Sequence, residues 1–526
     1  MEEKGKLHIV MVPWLAFGHM IPYLELAKSL AQMGHRVSFL STPRNIDRLP
    51  TVAHDLRPRI NLVKLTPPPV DGLPEDAQST VDVPLDHLPF ILQLLDGLEG
   101  PLSSFLEDDP PPDWVIYDIS VYWAPRVAAK YGIPTVFFAP FSAMTLSILG
   151  PPSVHLDLQP MTPEELTLTP PWVPFPTNVA FSYYGAEGIA KYIRRRQSSS
   201  GVTGGQRLGL TFQGSHVAAI RSCLEFEPEW ILLLAELYQK PVFPIGLLSP
   251  HIPKIDNREH ETWVDQEWLD TQKHESVVYV AFGSELQFNK EQMHELAIGL
   301  ELSELPFFWA YRGDPSLLPL GFEERTKGRG VIRFGWAPQA RLLAHTCIGC
   351  FLMHGGWGSS VEGLAFGKPL IMLPMIADQG LITRVMVGKK VGVEVPRNHE
   401  ERKYARIGCF LMHGGWGSSV EGLAFGKPLI MLPMIADQGL ITRVMVGKKV
   451  GVEVPRNERD GSFTQEGVAK SLKLVMGEDE GGSIRSNARE MMKIFADKEQ
   501  HNQYIKDFAD YLIEHRCRDC VPAPLA

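Results

Sequence analysis

Residues Ile348 to Met353 (IGCFLM) form a short, unbroken apolar run that stops at His354-Gly355-Gly356-Trp357-Gly358-Ser359. A run of this length and character fits a strand buried on both faces of a parallel sheet. Ser359 and Glu362 have the S-x-x-E spacing of a capping box, which predicts a helix start directly after the glycines. A strand that ends in glycines and opens onto a helix N-terminus makes an anion site, because free N–H groups and the positive end of the helix dipole face uncrowded space. A second apolar run, PLIMLP, delivers Asp378 and Gln379 to the same rim, and a tryptophan loop (Trp336, Pro338, Gln339) precedes the first run. Taken singly, these residues also have plainer readings. Ser359 and Glu362 could simply cap a helix, and Trp357 could simply be core.

The same strand–turn–helix rhythm opens the chain. HIVMVPW reads as a strand, LAFGHM as a turn, and IPYLELAKSLAQMGH as a helix with Ile21, Leu24, Ala27, Leu30 and Ala31 at helical spacing and Gly34 as its stop. RVSFLST is the next strand. Alternation of this kind predicts a parallel, doubly wound α/β sheet, and such sheets bind ligands outside the carboxyl ends of their strands. His19 lies in the turn after the first strand, at that rim. DWVIYDISVYWAP reads as a further strand with Asp118 at its end. Asp118 is either a turn or helix-cap residue or a carboxylate that fixes the tautomer of His19 and stabilises its imidazolium, as drawing a proton from an alcohol requires.

From about residue 150 to 207 the chain becomes irregular and proline-rich. Phe141, Trp172, Phe175 and Tyr184 could line an acceptor pocket there or be core. The basic cluster Arg194-Arg195-Arg196 reads as a solvated loop. Proline, glycine and charge rise together after Pro241, so a linker is expected over 241–262. Beyond it, SVVYVAFGS reads as a strand ending near Ser284, and NKEQMHELAIGLELS as a helix. Ser284 is thus either a strand-end turn residue or a phosphate contact. The stretch NAREMMKIFADKEQHNQYIKDFADYLIEH has helical periodicity throughout.

The length of 526 residues implies more than one domain. A net charge of -10 argues against nucleic acid or an anionic membrane surface as a main partner. No apolar run reaches the ~18 residues that a membrane helix needs, and no apolar leader precedes HIVMVPW, so membrane insertion is not expected and a cytoplasmic location is. Cys347/Cys350 and Cys517/Cys520 are C-x-x-C pairs. Neither a metal site nor a disulfide is expected of them, the first pair lying at a buried strand edge and the second in the tail.

Residues 348–398 recur unchanged as 407–457, separated by the insert HEERKYAR. Structural repeats drift in sequence and need at least about three copies to be stable alone, so two identical copies read as a recent tandem duplication or a gene-model error. One sheet has one slot for this strand–helix–strand unit, so the surplus copy is expected to bulge out, pair elsewhere or stay unpacked. Copy one is expected to fill the site, since the tryptophan loop adjoins it. The alternative is copy two, with His413, Trp416, Ser418, Glu421, Asp437 and Gln438.

The order Trp…Pro-Gln…His-Gly-Gly-Trp-Gly-Ser…Glu…Asp-Gln resembles the signature box of plant family 1 UDP-sugar glycosyltransferases. The resemblance implies the GT-B architecture, two Rossmann-like domains facing across a cleft. The acceptor domain would span 1–240, the linker 241–262, the UDP-sugar domain 263–493 with both copies, and 494–526 a helix returning to the first domain plus a tail. It further implies that Trp336 stacks on uracil and Gln339 contacts the nucleoside. Glu362 would accept from the ribose hydroxyls, and His354, Ser359 and Ser284 would hold the diphosphate. Trp357, Asp378 and Gln379 would contact the sugar. His19 would be the catalytic base and Asp118 its support, acting by inverting displacement with no metal and no further cofactor. A UDP-sugar donor, a small hydroxylated or glycosylated acceptor and a monomer are the implied partners and state. Gly358 departs from the family, which usually has asparagine there, so one amide contact to phosphate or sugar is in doubt. The terminal glutamine makes UDP-glucose the expected donor. GHMIPYLELAKSLAQMGHRVSFLSTPRNIDRLP and VGVEVPRNERDGSFT resemble the subgroup that glycosylates flavonoid, terpenoid or steroid glycosides. Two rivals stand beside this reading: a UDP-sugar epimerase on the same architecture, and a nucleotide-binding protein whose duplication has spoiled catalysis.

Overall fold

The computed structural model describes residues 5–107, 111–156, 161–177, 179–181, 183–196, 201–248, 266–282, 288–311, 313–335, 337, 339–353, 370–372, 393–394, 410–412, 429–431, 442, 445–454, 464–476, 480–495 and 497–516. The chain divides into two units. The first comprises 1–160, 190–248 and 498–526, and the second 161–189 and 249–497.

The first unit is built on seven parallel strands: β1 (His8–Val12), β2 (Arg36–Ser41), β3 (Ile60–Lys64), β4 (Trp114–Tyr117), β5 (Thr135–Ala139), β6 (Val217–Ile220) and β7 (Val242–Pro244), in the order β3-β2-β1-β4-β5-β6-β7. Every connection between parallel neighbours is a crossover, so helices cover the sheet, and β1, β4, β5 and β6 are almost wholly buried. Helix α1 (Phe17–Gln32) buries Tyr23, Leu24, Leu26, Ala27, Leu30 and Ala31, while Ile21 is half-buried. Their ring and alkyl surfaces join Ile9, Met11, Val37, Phe39, Ile116 and Phe138 in one core. The sequence places the helix face correctly because its period of 3.6 survives Pro22, whose missing N–H falls in the second turn.

The linker was expected from 241, but Val242–Pro244 is the edge strand of this sheet, pairing with β6 at Ala219↔Phe243 and Ile220↔Pro244. A proline is tolerated there because an edge strand has one unpaired side. The long helical pattern near the C-terminus is two helices, Glu480–Phe495 and Lys498–Glu514; the second groups with the first unit, where the reading of 494–526 puts it. It buries Tyr504, Ile505, Phe508 and Leu512, and Trp114 Nε1 donates to Leu512 O at 2.9 Å. Residues 161–189, expected within the acceptor domain, group with the second unit.

The second unit carries a nine-stranded sheet. Its strands are β8 (Val277–Ala281), β9 (Phe307–Tyr311), β10 (Gly330–Phe334), β11 (Ile348–Met353), β12 (Leu370–Met372), β13 (Val393–Glu394), β14 (Phe410–Met412), β15 (Leu429–Met431) and β16 (Gly451–Glu453). They lie in the order β10-β9-β8-β11-β12-β16-β13-β15-β14, with further pairings β11–β14 and β15–β16. Among the described strand pairs, only β13–β16 is antiparallel. The helix expected over NKEQMHELAIGLELS is Lys290–Ser303, and Asn289 caps it with Gln292 in a capping box.

Of the outcomes expected for the surplus copy, the structure shows the one in which it pairs elsewhere, in the same sheet. Copy one supplies β11, which occupies the place beside β8 with Phe351↔Tyr279, Leu352↔Val280 and Met353↔Ala281 in register. Copy two supplies β14, β15 and β16 to the same sheet, with Met412 opposite Met353 and β15 fully buried between its partners. Identical apolar runs have identical strand propensity, and an open parallel sheet can extend by further strands.

Candidate active site

The first sheet reverses its strand order between β1 and β4, since the chain runs from β1 outward to β3 and then returns to β4 on the other side. The carboxyl ends of these two strands flank the crevice where open α/β sheets take ligands. Val12 pairs with Tyr117, and Asp118 N–H donates to Val12 O at 3.2 Å, so the ladder runs one residue past the strand and ends at Asp118. On the β1 side, Ala16 O accepts from the N–H groups of His19 (3.0 Å) and Met20 (2.9 Å), which winds the first turn of α1 and puts His19 in it.

The two side chains meet. His19 Nδ1 and Asp118 Oδ2 are 2.9 Å apart. Asp118 is wholly buried while the His19 side chain keeps 15% of its surface exposed. The carboxylate is saturated with donors, since Oδ2 also accepts from Trp14 N–H at 3.0 Å and Oδ1 from Ile119 N–H at 2.6 Å. A carboxylate on Nδ1 assigns the ring proton to that nitrogen and leaves Nε2 as a base. Burial pushes the Tyr23 hydroxyl well above its ordinary range, with the nearby Asp118 charge adding to it, so Tyr23 stays a neutral donor to Phe138 O at 2.9 Å.

Phe141 stands edge-on to the imidazole, with ring centroids 5.1 Å apart and planes at 78°. It sits between β5 and the helix Ala143–Leu149, whose start is held twice. Ser142 Oγ accepts from Thr145 N–H, and the buried Glu227 carboxylate accepts from Ala143 N–H (3.1 Å) and Met144 N–H (3.3 Å). A negative charge at a helix N-terminus is well placed against the dipole. Before His19, a Cβ added to Gly18 would meet no heavy atom within 4 Å, so the backbone faces open space. Of the other aromatic residues singled out in the sequence, Trp172, Phe175 and Tyr184 lie in the segment 161–189 of the second unit.

The second unit shows the frame of the predicted anion site. Met353, directly before His354, pairs with Ala281, three residues before Ser284, so the two chain segments leave the sheet from adjacent parallel strands. Gln339 opens the helix Gln339–Ala344, and Tyr279 OH donates to its Oε1 at 3.3 Å. Ser284, Trp336, His354, Trp357, Gly358, Ser359, Glu362, Asp378 and Gln379 lie outside the described residues, as do His413, Trp416, Ser418, Glu421, Asp437 and Gln438 of copy two. Among the described residues no group of three histidine, cysteine or acidic side chains could hold a metal ion, and no helix is long and apolar enough to cross a membrane. Cys223 and Cys347 are buried and form no disulfide, and His345 Nδ1 lies 3.1 Å from Cys347 Sγ.

Reading the sequence did not single out Phe141's contact with His19, Ser120, or Arg207 and Asp96. For Arg207 a signal existed, since Thr203 and Gln206 have capping-box spacing ahead of the helix Gly204–Gly214.

The model of the family described as UDP-glucoronosyl and UDP-glucosyl transferase matches residues 251–403 and 402–516, two stretches that meet inside the insert between the copies. UDP-glycosyltransferase 91C1 of Arabidopsis thaliana is 40% identical over 508 residues, covering 96% of this chain and 96% of the relative. Soyasaponin III rhamnosyltransferase of Glycine max is 37% identical, covering 97% of this chain and 96% of the relative. Among solved structures, a UDP-glucosyltransferase from Polygonum tinctorium superposes with a TM-score of 0.67 over 97% of this chain and 99% of the other, at 23% identity. That likeness shows the fold, and it is the α/β GT-B fold read from the sequence.

Proposed function

The chain belongs to the UDP-glucoronosyl and UDP-glucosyl transferase family and is a plant UDP-glycosyltransferase, and from that premise we propose that it moves glucose from UDP-glucose to a hydroxyl of a plant secondary metabolite or its glycoside. The observation that carries the mechanism is the hydrogen bond between His19 and Asp118 at the switch point of the first sheet. The acceptor hydroxyl gives its proton to His19 Nε2 while its oxygen attacks the anomeric carbon. The bond from that carbon to the diphosphate oxygen breaks, UDP departs with the electron pair, and the configuration inverts. Asp118, bonded to Nδ1, balances the imidazolium that forms. Held in place by the Trp14 and Ile119 N–H groups, it needs no reorganisation as the positive charge appears.

In this proposal the donor is held by Ser284, Trp336, Gln339, His354, Trp357, Ser359, Glu362, Asp378 and Gln379. N–H donors at the glycine-lined strand end take the charge of the departing diphosphate, so no metal is needed. Glucose is favoured by the glutamine at the end of the signature box. Rhamnose is the second reading, favoured by the relative named soyasaponin III rhamnosyltransferase, which also supports a saponin-class acceptor. Incubating the protein with UDP-glucose, UDP-rhamnose, UDP-xylose and UDP-galactose against flavonoid, terpenoid and steroid glycosides, with products read by mass spectrometry, tests both. A glycosylated acceptor with UDP released is the expected result. Epimerised nucleotide sugar formed without any acceptor would replace the transferase mechanism with an epimerase.

A further inference from the structure

A tight turn follows Asp118, and the buried Arg207 guanidinium hydrogen-bonds to it. Val121 N–H donates to Asp118 O at 3.2 Å and closes a β-turn over 118–121. Its third residue, Ser120, has φ of 69°. A residue with a side chain keeps this left-handed conformation only where its surroundings hold it there. Arg207 Nη1 donates to Ser120 O at 3.3 Å, and Ser120 Oγ shares a hydrogen bond with Tyr192 OH at 3.4 Å.

Arg207 is 0% exposed. Its guanidinium forks onto Asp96, with Nη1 2.8 Å from Oδ1 and Nη2 bonded to Oδ2, and lies over the Tyr122 ring at 4.8 Å from the centroid. The helix that carries it, Gly204–Gly214, packs too close for side chains at its ends. A Cβ on Gly204 would come 2.2 Å from Tyr192 O, and one on Gly214 2.7 Å from Pro125 Cγ. Packing alone is served as well or better by an apolar residue of similar volume than by a buried ion pair. The charge therefore calls for a polar reason, and the Ser120 carbonyl supplies one.

We propose that Arg207 is a positioning residue for the His19–Asp118 pair: anchored by Asp96, it holds the Ser120 carbonyl and keeps the 118–121 turn in the conformation that points Asp118 Oδ2 at His19 Nδ1. The inference rests on the reading of His19 as the base, but its first readout does not. In the full chain labelled with ¹⁵N-histidine, the His19 ring, assigned by its loss in His19→Gln, should show a single neutral tautomer with the proton on Nδ1. Arg207→Lys keeps the charge beside Asp96 but loses the fork that reaches Ser120. It should mix the two tautomers and lower kcat about tenfold or more while leaving the KM for UDP-glucose unchanged. Adding Ser120→Gly, which adopts the left-handed turn without being held, should restore the single tautomer. A His19 signal unchanged in Arg207→Lys overturns the proposal, and so does a mixture that Ser120→Gly fails to reverse. Should Arg207→Lys not fold, Tyr122→Leu, which removes the ring under the guanidinium, must shift the His19 signal in the same direction, and an unchanged signal there overturns the proposal equally. If His19→Ala retains transfer, the base assignment fails while the tautomer experiment still decides the role of Arg207.

Discussion

His19 and Asp118 are 99 positions apart in the chain, and their side chains are 2.9 Å apart in space. Parallel pairing of β1 with β4 brings them together, because each residue follows the carboxyl end of one of those strands. The sheet thereby supplies an oriented imidazole at the place where this topology leaves a crevice. The consequences can be checked one by one.

His19→Ala should lower kcat for sugar transfer by about 10²–10⁴, the range of a lost general base, with little effect on folding since the ring is partly exposed. Steady-state kinetics with the acceptor found by the screen measures it. Transfer at the wild-type rate would sink the base assignment.

Asp118→Asn cannot satisfy both backbone donors and the His19 ring, because one of its two positions now carries N–H. The variant should lose about 1–3 kcal/mol of stability for the mispaired buried group, read from urea unfolding, together with most of its turnover. Wild-type stability combined with low turnover would confine Asp118 to chemistry.

Gly246 has φ of 72°, and a Cβ there would lie 2.8 Å from His501 Cβ and 3.0 Å from His501 Cα. Gly246→Ala should therefore push the helix Lys498–Glu514 off the first sheet and cost about 1–3 kcal/mol. Chemical denaturation gives the value, and hydrogen exchange should show the loss of protection centred on that helix.

Burial holds His155 well below its ordinary value of 6.5, at about 4, and His8 is lowered to about 4 by burial and by Arg36. Between these limits the unfolded chain binds a proton that the folded one does not, so stability rises with pH across the window and falls as pH drops from about 6.5 to 4. For the fully buried His155 the loss amounts to roughly 3 kcal/mol at most. Melting temperatures followed over that range should fall, and His155→Leu should flatten the descent. A slope unchanged by that substitution would assign the acid sensitivity to other groups.

Deleting residues 348–406 joins Cys347 to an identical copy of the strand that lies beside β8. The shortened chain should fold and transfer sugar at least as fast as the full one. A dead short form beside an active full chain would mean that both copies are needed, whereas an active short form beside a dead full chain would support the view that the duplication spoils the site.

The sequence alone determined the class of fold, the strand that carries β11, the first helix face and the two residues at the switch point. These signals are local: an apolar run ending in glycines, a period of 3.6, a capping box, a polar residue after a strand. Only the tertiary structure decided that Val242–Pro244 joins the first sheet, that the last helical stretch breaks into two, that copy two shares a sheet with copy one, and that Arg207 reaches the turn beside Asp118. A short apolar segment bears no mark of which neighbour it will pair with, and an arginine bears no mark of whether it will be exposed or buried. Both are settled when residues as distant as Asp96 and Arg207 are packed out of water and each polar group must find its partner among those left beside it.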